Sequence, residues 1–181
     1  MAVGQTQIPH TLPDLKPSKT IGLISDTHVP SRASAIPQTV FKIFENVDYI
    51  IHAGDFVELT VIDELEQLAP VLAVHGNMDG PQINSVLPKV NSVRVMDWKI
   101  GVTHDPGTLY GIENIRELAK QNLFNAVVYG HTHASNIKWE GKTLYINPGS
   151  PTFPEPPFLS RPTVGLLKIT WESIIPEIVQ V

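Results

Sequence analysis

The sequence predicts an α/β domain in which two β-sheets pack face to face with helices on the outside. Three observations carry this. The first half alternates short apolar runs with helical spacing, the second half pairs apolar runs around tight turns, and the composition suits one buried core. The chain has 181 residues, 42% of them apolar and 17% charged, the mixture of a folded domain rather than a disordered segment.

Each element follows from its pattern. Residues 1–19 carry Pro9, Pro13 and Pro17 and read as an irregular leader, with one domain over residues 20–181. Residues 21–24, 49–51 and 71–74 are short apolar runs of strand length. Between them, residues 36–44 and 59–68 repeat apolar positions at helical spacing. A β-α-β-α-β order calls for a parallel sheet with covering helices. Residues 93–96 and 100–103 flank a turn around Asp97, and residues 136–139 and 143–146 flank Glu140-Gly141-Lys142, so both pairs read as hairpins. A helix is expected over residues 110–121 and strands over 126–129, 164–170 and 173–179, completing an antiparallel half. Residues 147–162 are rich in proline with little apolar periodicity, and a loop of that length in a compact domain is often functional.

Composition excludes several classes of function. There is no cysteine, so any metal must be held by nitrogen and oxygen ligands. The formal net charge of -5 disfavours extended nucleic-acid binding, which works through basic surfaces. No apolar run approaches the roughly 20 residues that span a bilayer, and the first residues lack the apolar core of a signal peptide. The expectation is a soluble cytoplasmic protein that neither spans nor binds a membrane.

The polar residues fall where those strands end. The runs finish in Asp26-Thr27-His28, in Asp55, in Asn77, in His104 and in His131-Thr132-His133. Ligands of open α/β sheets gather outside the carboxyl ends of the strands, so seven metal-competent groups would meet at one edge. Carboxylate and imidazole suit Mn, Fe, Zn and Ni better than an all-oxygen Mg or Ca site. Two cations about 3.5–4 Å apart need an anionic bridge, which an aspartate supplies. In Asp26-Thr-His28 and His131-Thr-His133 the alternate spacing puts both side chains on one face of an extended segment. A turned segment would instead split such a pair between two metals. No single one of these residues is diagnostic; the ordered set is.

The series Ser25-Asp-Thr-His28, His52-Ala-Gly-Asp55, His75-Gly-Asn-Met-Asp79, Thr103-His104, Gly130-His-Thr-His133 and Ile146-Asn-Pro-Gly-Ser150 resembles the calcineurin-like metallophosphoesterase superfamily. The short chain is similar to its small prokaryotic phosphodiesterase branch, which shares its fold with the small retromer subunit, a binding scaffold. The resemblance covers residues 21–179 and implies a four-layer αββα sandwich, two central mixed sheets flanked by helices. It implies one metal on Asp26, His28 and His133, a second on Asn77, His104 and His131, and Asp55 between them. Two divalent transition-metal ions per chain are expected, Mn²⁺ first among them, with Ni²⁺, Fe²⁺, Zn²⁺ or Co²⁺ as alternatives. The implied nucleophile is a water or hydroxide between the metals, with Asp55, Asn77 and His104 serving catalysis through it and through phosphate positioning.

The sequence departs from larger superfamily members at Gly76-Asn77-Met78-Asp79, where they carry Gly-Asn-His-Glu. A thioether cannot donate a proton, so good leaving groups or another acid are expected. His75 and Asp105 are the candidates, although ordinary structural roles are the commoner fate of such residues. Asp79 is expected to support Asn77 rather than touch metal. His52 is expected to be buried, and His10 has no role. Arg32 could fork onto a substrate phosphate or simply face solvent. Ten residues, among them the run Pro151 to Phe158, separate the Asn147-Pro-Gly-Ser150 turn from Arg161, so the arginine that follows this turn in relatives does not carry over directly. Phe153 and Phe158 could wall a substrate site, meet another subunit, or pack within the chain.

The leading expectation is a metal-dependent phosphodiesterase acting on a small phosphate ester. A metal-binding scaffold that recruits protein partners is the alternative from another class. A phosphomonoesterase, or a nuclease on short oligonucleotides, is a third. The sequence is compatible with a homo-oligomer. All seven ligand positions hold metal-competent groups, which favours the enzyme, because a scaffold can lose ligands at no cost.

Overall fold

The computed structural model describes residues 18–107, 112–154 and 161–181. Most of the expected leader therefore lies outside the described residues, as do His10 and Phe158. The first half forms β1 (Lys19–Ile24), α1 (Gln38–Ile43), β2 (Tyr49–His52), α2 (Thr60–Glu66) and β3 (Val71–Ala73). Helix α1 starts later than its apolar spacing suggests because Pro37 keeps the residue before it, Ile36, out of helical geometry. Then come α3 (Pro81–Val86), β4 (Val90–Val95), β5 (Trp98–Thr103), α4 (Glu113–Asn122), β6 (Ala126–Val128), β7 (Asn136–Glu140), β8 (Thr143–Asn147), β9 (Thr163–Ile169) and β10 (Ile174–Gln180). Helix α3 has no expected counterpart. Only Ile83 of its six residues is buried, too little to mark a helical face, and Pro81 opens it at the first turn, where a missing N–H costs nothing.

Ten strands make two five-stranded mixed sheets, ordered β10-β9-β1-β2-β3 and β4-β5-β6-β8-β7. In the first, β1, β2 and β3 run parallel, with Leu23 opposite Ile51. The expectation of an antiparallel second half is corrected: β5, β6 and β8 run parallel to one another. Only the hairpins β4–β5 and β7–β8 are antiparallel there. The reason is connectivity. Helix α4 carries the chain back between β5 and β6, and β7 folds to the edge so that β8 enters beside β6. The closing hairpin β9–β10 leaves this sheet and pairs with β1.

Strand alternation distributes the core into layers. Ile21 and Leu23 of β1 face Val128 of β6 and Leu144 and Ile146 of β8 in a cluster between the sheets. Ile24 turns the other way, with Val40, Phe44, Val61 and Leu65 of the α1 and α2 region. Val127 and Tyr145 likewise turn outward to Ile115 and Phe124 beside α4. This gives the expected αββα sandwich, each fully buried Leu or Ile contributing about 1.5–3 kcal/mol. Among the described residues no helix is long and apolar enough to cross a membrane.

Glycines admit the aromatics that seal each outer layer. A Cβ on Gly22 would stand 2.9 Å from the Phe44 ring, and one on Gly101 would overlap the Phe124 ring. Gly101→Ala should therefore destabilise the domain by about 1–3 kcal/mol through overpacking. Urea unfolding of that variant, alone and combined with Phe124→Leu, checks this: the second change should restore part of the loss.

Candidate metal centre

The parallel strands all deliver their carboxyl ends to one edge, and the chain turns sharply just beyond them. Five of the seven expected ligands hold left-handed backbone: Asp26 (φ 52°), His28 (47°), Asp55 (57°), His131 (72°) and His133 (56°). Each such residue costs roughly 1–2 kcal/mol unless its surroundings impose it. Here they do. Asp26 N–H donates to the Gly54 carbonyl and His28 N–H to the Asp55 carbonyl, each at 3.0 Å. The Asp79 carboxylate accepts four backbone N–H bonds, from Asp55 (2.9 Å), Phe56 (3.0 Å), Val57 (2.7 Å) and Gly76 (2.7 Å).

The side chains converge in two nests. In one, His28 Nε2 lies 3.1 Å from His133 Nε2, and His133 Nε2 lies 3.4 Å from Asp26 Oδ1. In the other, Asn77 Oδ1 lies 3.0 Å from His104 Nε2 and 2.8 Å from His131 Nδ1. Asp55 Oδ2 stands between them, 3.8 Å from His28 Nε2 and 3.4 Å from His104 Nε2. Asp26, His28 and His133 offer ligand atoms within 4.8 Å of one another, and so do Asp26, Asp55 and His104. The turned backbone thus divides the His131-Thr-His133 pair between the two nests, whereas Asp26 and His28 stay together.

Supporting bonds aim the rings. His104 Nδ1–H donates to the Ala53 carbonyl at 2.8 Å and His133 Nδ1–H to the Phe153 carbonyl at 2.6 Å, which leaves each Nε2 facing the nest. Asp26 accepts the Ser25 hydroxyl at 2.5 Å and the His131 N–H at 3.1 Å. The Asn147-Pro-Gly-Ser150 turn sits directly beneath. Asn147 Nδ2 donates to the Gly130 carbonyl at 2.8 Å, and Ser150 Oγ donates to the Asp26 carbonyl at 2.7 Å. The sequence placed the turn within the family series but assigned no part to Ser25, Thr152 or the Phe153 carbonyl.

Electrostatics suit a cation. Burial pushes the Asp26 carboxyl up, against the pull of His104 and His133. Burial lowers His28 to about 4 and His52 to about 3, so both stay neutral near pH 7. For Asp55 burial works upward, yet the His104 hydrogen bond and charge hold it below the ordinary carboxylate value. For His104 burial works downward, but the bond to Asp55 and the Asp26 charge raise it to about 9. Proton and divalent cation are alternatives at that nitrogen, so binding there releases a proton. His28 Nδ1 is buried without a hydrogen-bond partner. Its Nε2 faces a second imidazole nitrogen, and a cation satisfies both lone pairs where at most one proton could. Nitrogen and oxygen donors without thiolate fit a borderline divalent metal.

The remaining candidates divide. Asp79, expected to support Asn77, instead accepts its hydrogen bonds among the described residues from the backbone of the Asp55 loop and from Gly76 N–H. His52 is buried, its Nδ1 accepting from Gly54 N–H and its Nε2 facing the Thr27 hydroxyl at 3.2 Å. Met78 is 49% exposed and contributes its N–H to Asp55 Oδ1 at 2.7 Å. Arg32 is exposed with its guanidinium carbon 4.4 Å above the Phe153 ring. His75 and Asp105 line a cavity of about 330 Å³ that opens beside Asn77 and His104. Arg161 pairs with Gln180 at 2.9 Å, away from the nests.

The family model for the calcineurin-like phosphoesterase superfamily domain matches residues 20–171. A probable metallophosphoesterase of Methanothermobacter thermautotrophicus is 37% identical over 163 residues, covering 88% of this chain and 91% of the relative. Among solved structures, an archaeal phosphodiesterase superposes with a TM-score of 0.69 at 32% identity, over 90% of this chain and 99% of that one. Vacuolar protein sorting 29 of Cryptosporidium parvum superposes with a TM-score of 0.80 at 20% identity, over 91% and 92% of the two chains, a likeness of fold alone.

Asp79→Asn tests the support beneath the site. An amide presents one accepting oxygen and turns N–H against the two donors that lost theirs. Stability should fall by about 2–4 kcal/mol, and divalent-metal affinity by about tenfold or more. Urea unfolding and metal titration of the same variant measure the two losses.

Proposed function

The chain belongs to the calcineurin-like phosphoesterase superfamily, and on that premise we propose a phosphodiesterase that hydrolyses a small phosphate ester with two divalent cations. Binding of divalent metal and hydrolysis of phosphoric esters are what membership carries. The pair of cations, the diester preference and the residue roles are our reading. The observation that supports it best is the position of Asp55 Oδ2, within 3.8 Å of a nitrogen in each nest.

In this reading Asp26, His28 and His133 hold one cation and Asn77, His104 and His131 the other, with Asp55 shared. When bound, the cations supply positive charge at the phosphoryl oxygens and make water a stronger acid. The chain's own residues do the rest. Asn77 and His104 set the position of the phosphate at the open side of the site, since Asn77 is exposed whereas His28 and His133 are buried. The Arg32 side chain makes no hydrogen bond among the described residues and sits with its guanidinium carbon 4.4 Å from the Phe153 ring centroid, so it can fork onto phosphate oxygens. With Met78 unable to give a proton, the departing oxygen is protonated from His75 or Asp105 on the cavity wall, or leaves as a stable anion. Manganese heads the candidate metals, with Ni²⁺, Fe²⁺, Zn²⁺ and Co²⁺ behind it.

Exposed Ile137 and Trp139 on the edge strand β7 favour a second reading, a scaffold whose metal centre is structural. Short oligonucleotides are a further substrate class to include in a screen. The deciding measurement is hydrolysis of bis(4-nitrophenyl) phosphate with each metal. Turnover supports the enzyme; two metals per chain without turnover on any diester or monoester makes it a scaffold.

Asp55→Asn should lower both metal occupancies and reduce kcat by about a hundredfold or more. His131→Ala and His133→Ala should each remove chiefly one metal, from opposite nests. Elemental analysis beside kinetics checks all three variants, and Asp55→Asn retaining two metals and full activity would refute the shared position.

A further inference from the structure

The cavity beside Asn77 and His104 has a composition that the metal centre does not use. Beyond those two residues its wall includes His75, Asn84, Lys89 and Asp105. Its backbone is fixed to the site from both sides. His75 N–H donates to the Pro88 carbonyl at 3.1 Å, and Thr103 Oγ1 donates to the Lys89 carbonyl at 3.2 Å. Lys89 is therefore carried on a segment bound to the loop before Asn77 and to the strand before His104.

Lys89 is the one lysine or arginine among the residues lining this cavity. Like Lys42, Lys99, Lys120, Lys142 and Lys168, it makes no ion pair among the described residues. Asp105, the carboxylate on the same wall, spends one oxygen on the Gly107 N–H at 2.7 Å. A chain of net charge -5 thus keeps an unpaired cation at the rim of a cavity that abuts the open nest. An ester whose phosphate sits at the centre can extend its larger group into this cavity.

We propose that this cavity receives the alcohol half of the phosphodiester and that Lys89 binds an anionic substituent on that half. The inference rests on the phosphodiesterase reading above. Hydrolysis places a water oxygen on phosphorus and breaks the bond from phosphorus to the ester oxygen. That oxygen takes a proton from His75 or Asp105, which the proton shed by the attacking water restores, or leaves as an anion with the water's proton released to solvent. Lys89 takes no part in those bonds. It selects alcohols bearing a carboxylate or phosphate, with Asn84 offering a neutral donor beside it.

The test uses two aryl methyl phosphates, identical except that the ring carries a carboxylate or the isosteric carboxamide. The metal-loaded wild type should show a KM about tenfold lower for the carboxylate, the worth of one charge-assisted hydrogen bond. Lys89→Gln should abolish that difference while leaving kcat and the carboxamide KM unchanged. Calorimetric titration with the carboxylated nitrophenol should show about tenfold weaker binding to Lys89→Gln than to wild type. Equal KM for both esters in the wild type, or an equal KM rise for both in Lys89→Gln, would overturn the proposal, the second result placing Lys89 on the scissile phosphate. If neither ester is hydrolysed the phosphodiesterase reading fails, and the calorimetric comparison alone decides whether Lys89 binds the anion.

Discussion

The site depends on one carboxylate whose hydrogen bonds among the described residues all go to backbone. Asp79 accepts N–H bonds from three consecutive residues of the Asp55 loop and one from Gly76. Those donors point together only because Asp55 and Val57 both hold positive φ, a conformation that a β-branched residue resists strongly. Four bonds to an ionised acceptor, each stronger than a neutral pair, offset that strain and desolvate little else. The Asp55 loop and the Asn77 loop are thereby fastened to a common point. Everything that must sit between the nests inherits its position from that junction.

A second consequence is the distribution of histidines. An extended His131-Thr-His133 would have presented both rings to one side. With φ of 72° and 56° the chain curls, so His131 meets Asn77 while His133 turns inward to His28. The inward ring is then held by the Phe153 carbonyl, and the same residue's ring supports Arg32. One loop residue therefore orients a buried imidazole through its backbone and an exposed guanidinium through its side chain. This links the irregular segment after β8 to the chemistry more directly than its proline-rich composition suggested.

Much of this was legible in the residues. Apolar runs ending in Asp26, Asp55, Asn77, His104 and His131 marked five strand ends, and the parallel order of β1, β2 and β3 placed three of them side by side. Burial of His52 followed from its place within a strand. What escaped reading was non-local. Nothing near Asp79 announces that it will accept from residues 22 to 24 positions earlier. The parallel course of β5, β6 and β8 depends on β7 taking the edge, a choice made by packing of the whole sheet rather than by either hairpin. Left-handed backbone at aspartate and histidine is invisible because those residues tolerate it without requiring it. The candidate ligand types were therefore readable at the strand ends, whereas their partition between nests followed only from the family resemblance.

The two nests differ in their access to solvent, and this asymmetry bears on how a substrate can approach. Asp26, His28 and His133 are buried, with the Ser150 and Thr152 hydroxyls donating to the Asp26 and Thr27 carbonyls and the Phe153 ring against His133. Asn77 is exposed and His131 half-buried. In a low-dielectric nest a cation is held strongly and exchanges slowly, because its ligands leave few routes for water. At the open nest water and ester oxygens can take coordination positions that the protein leaves free, which is the condition a catalytic site must meet and a structural site need not. The cavity begins on that side, next to Asn77, whose amide and exposure make it the weakest of the seven candidate ligands. On the proposed two-cation reading, an architecture that closes one nest and opens the other next to a polar pocket would separate holding metal from handling substrate, with strand ends from both sheets.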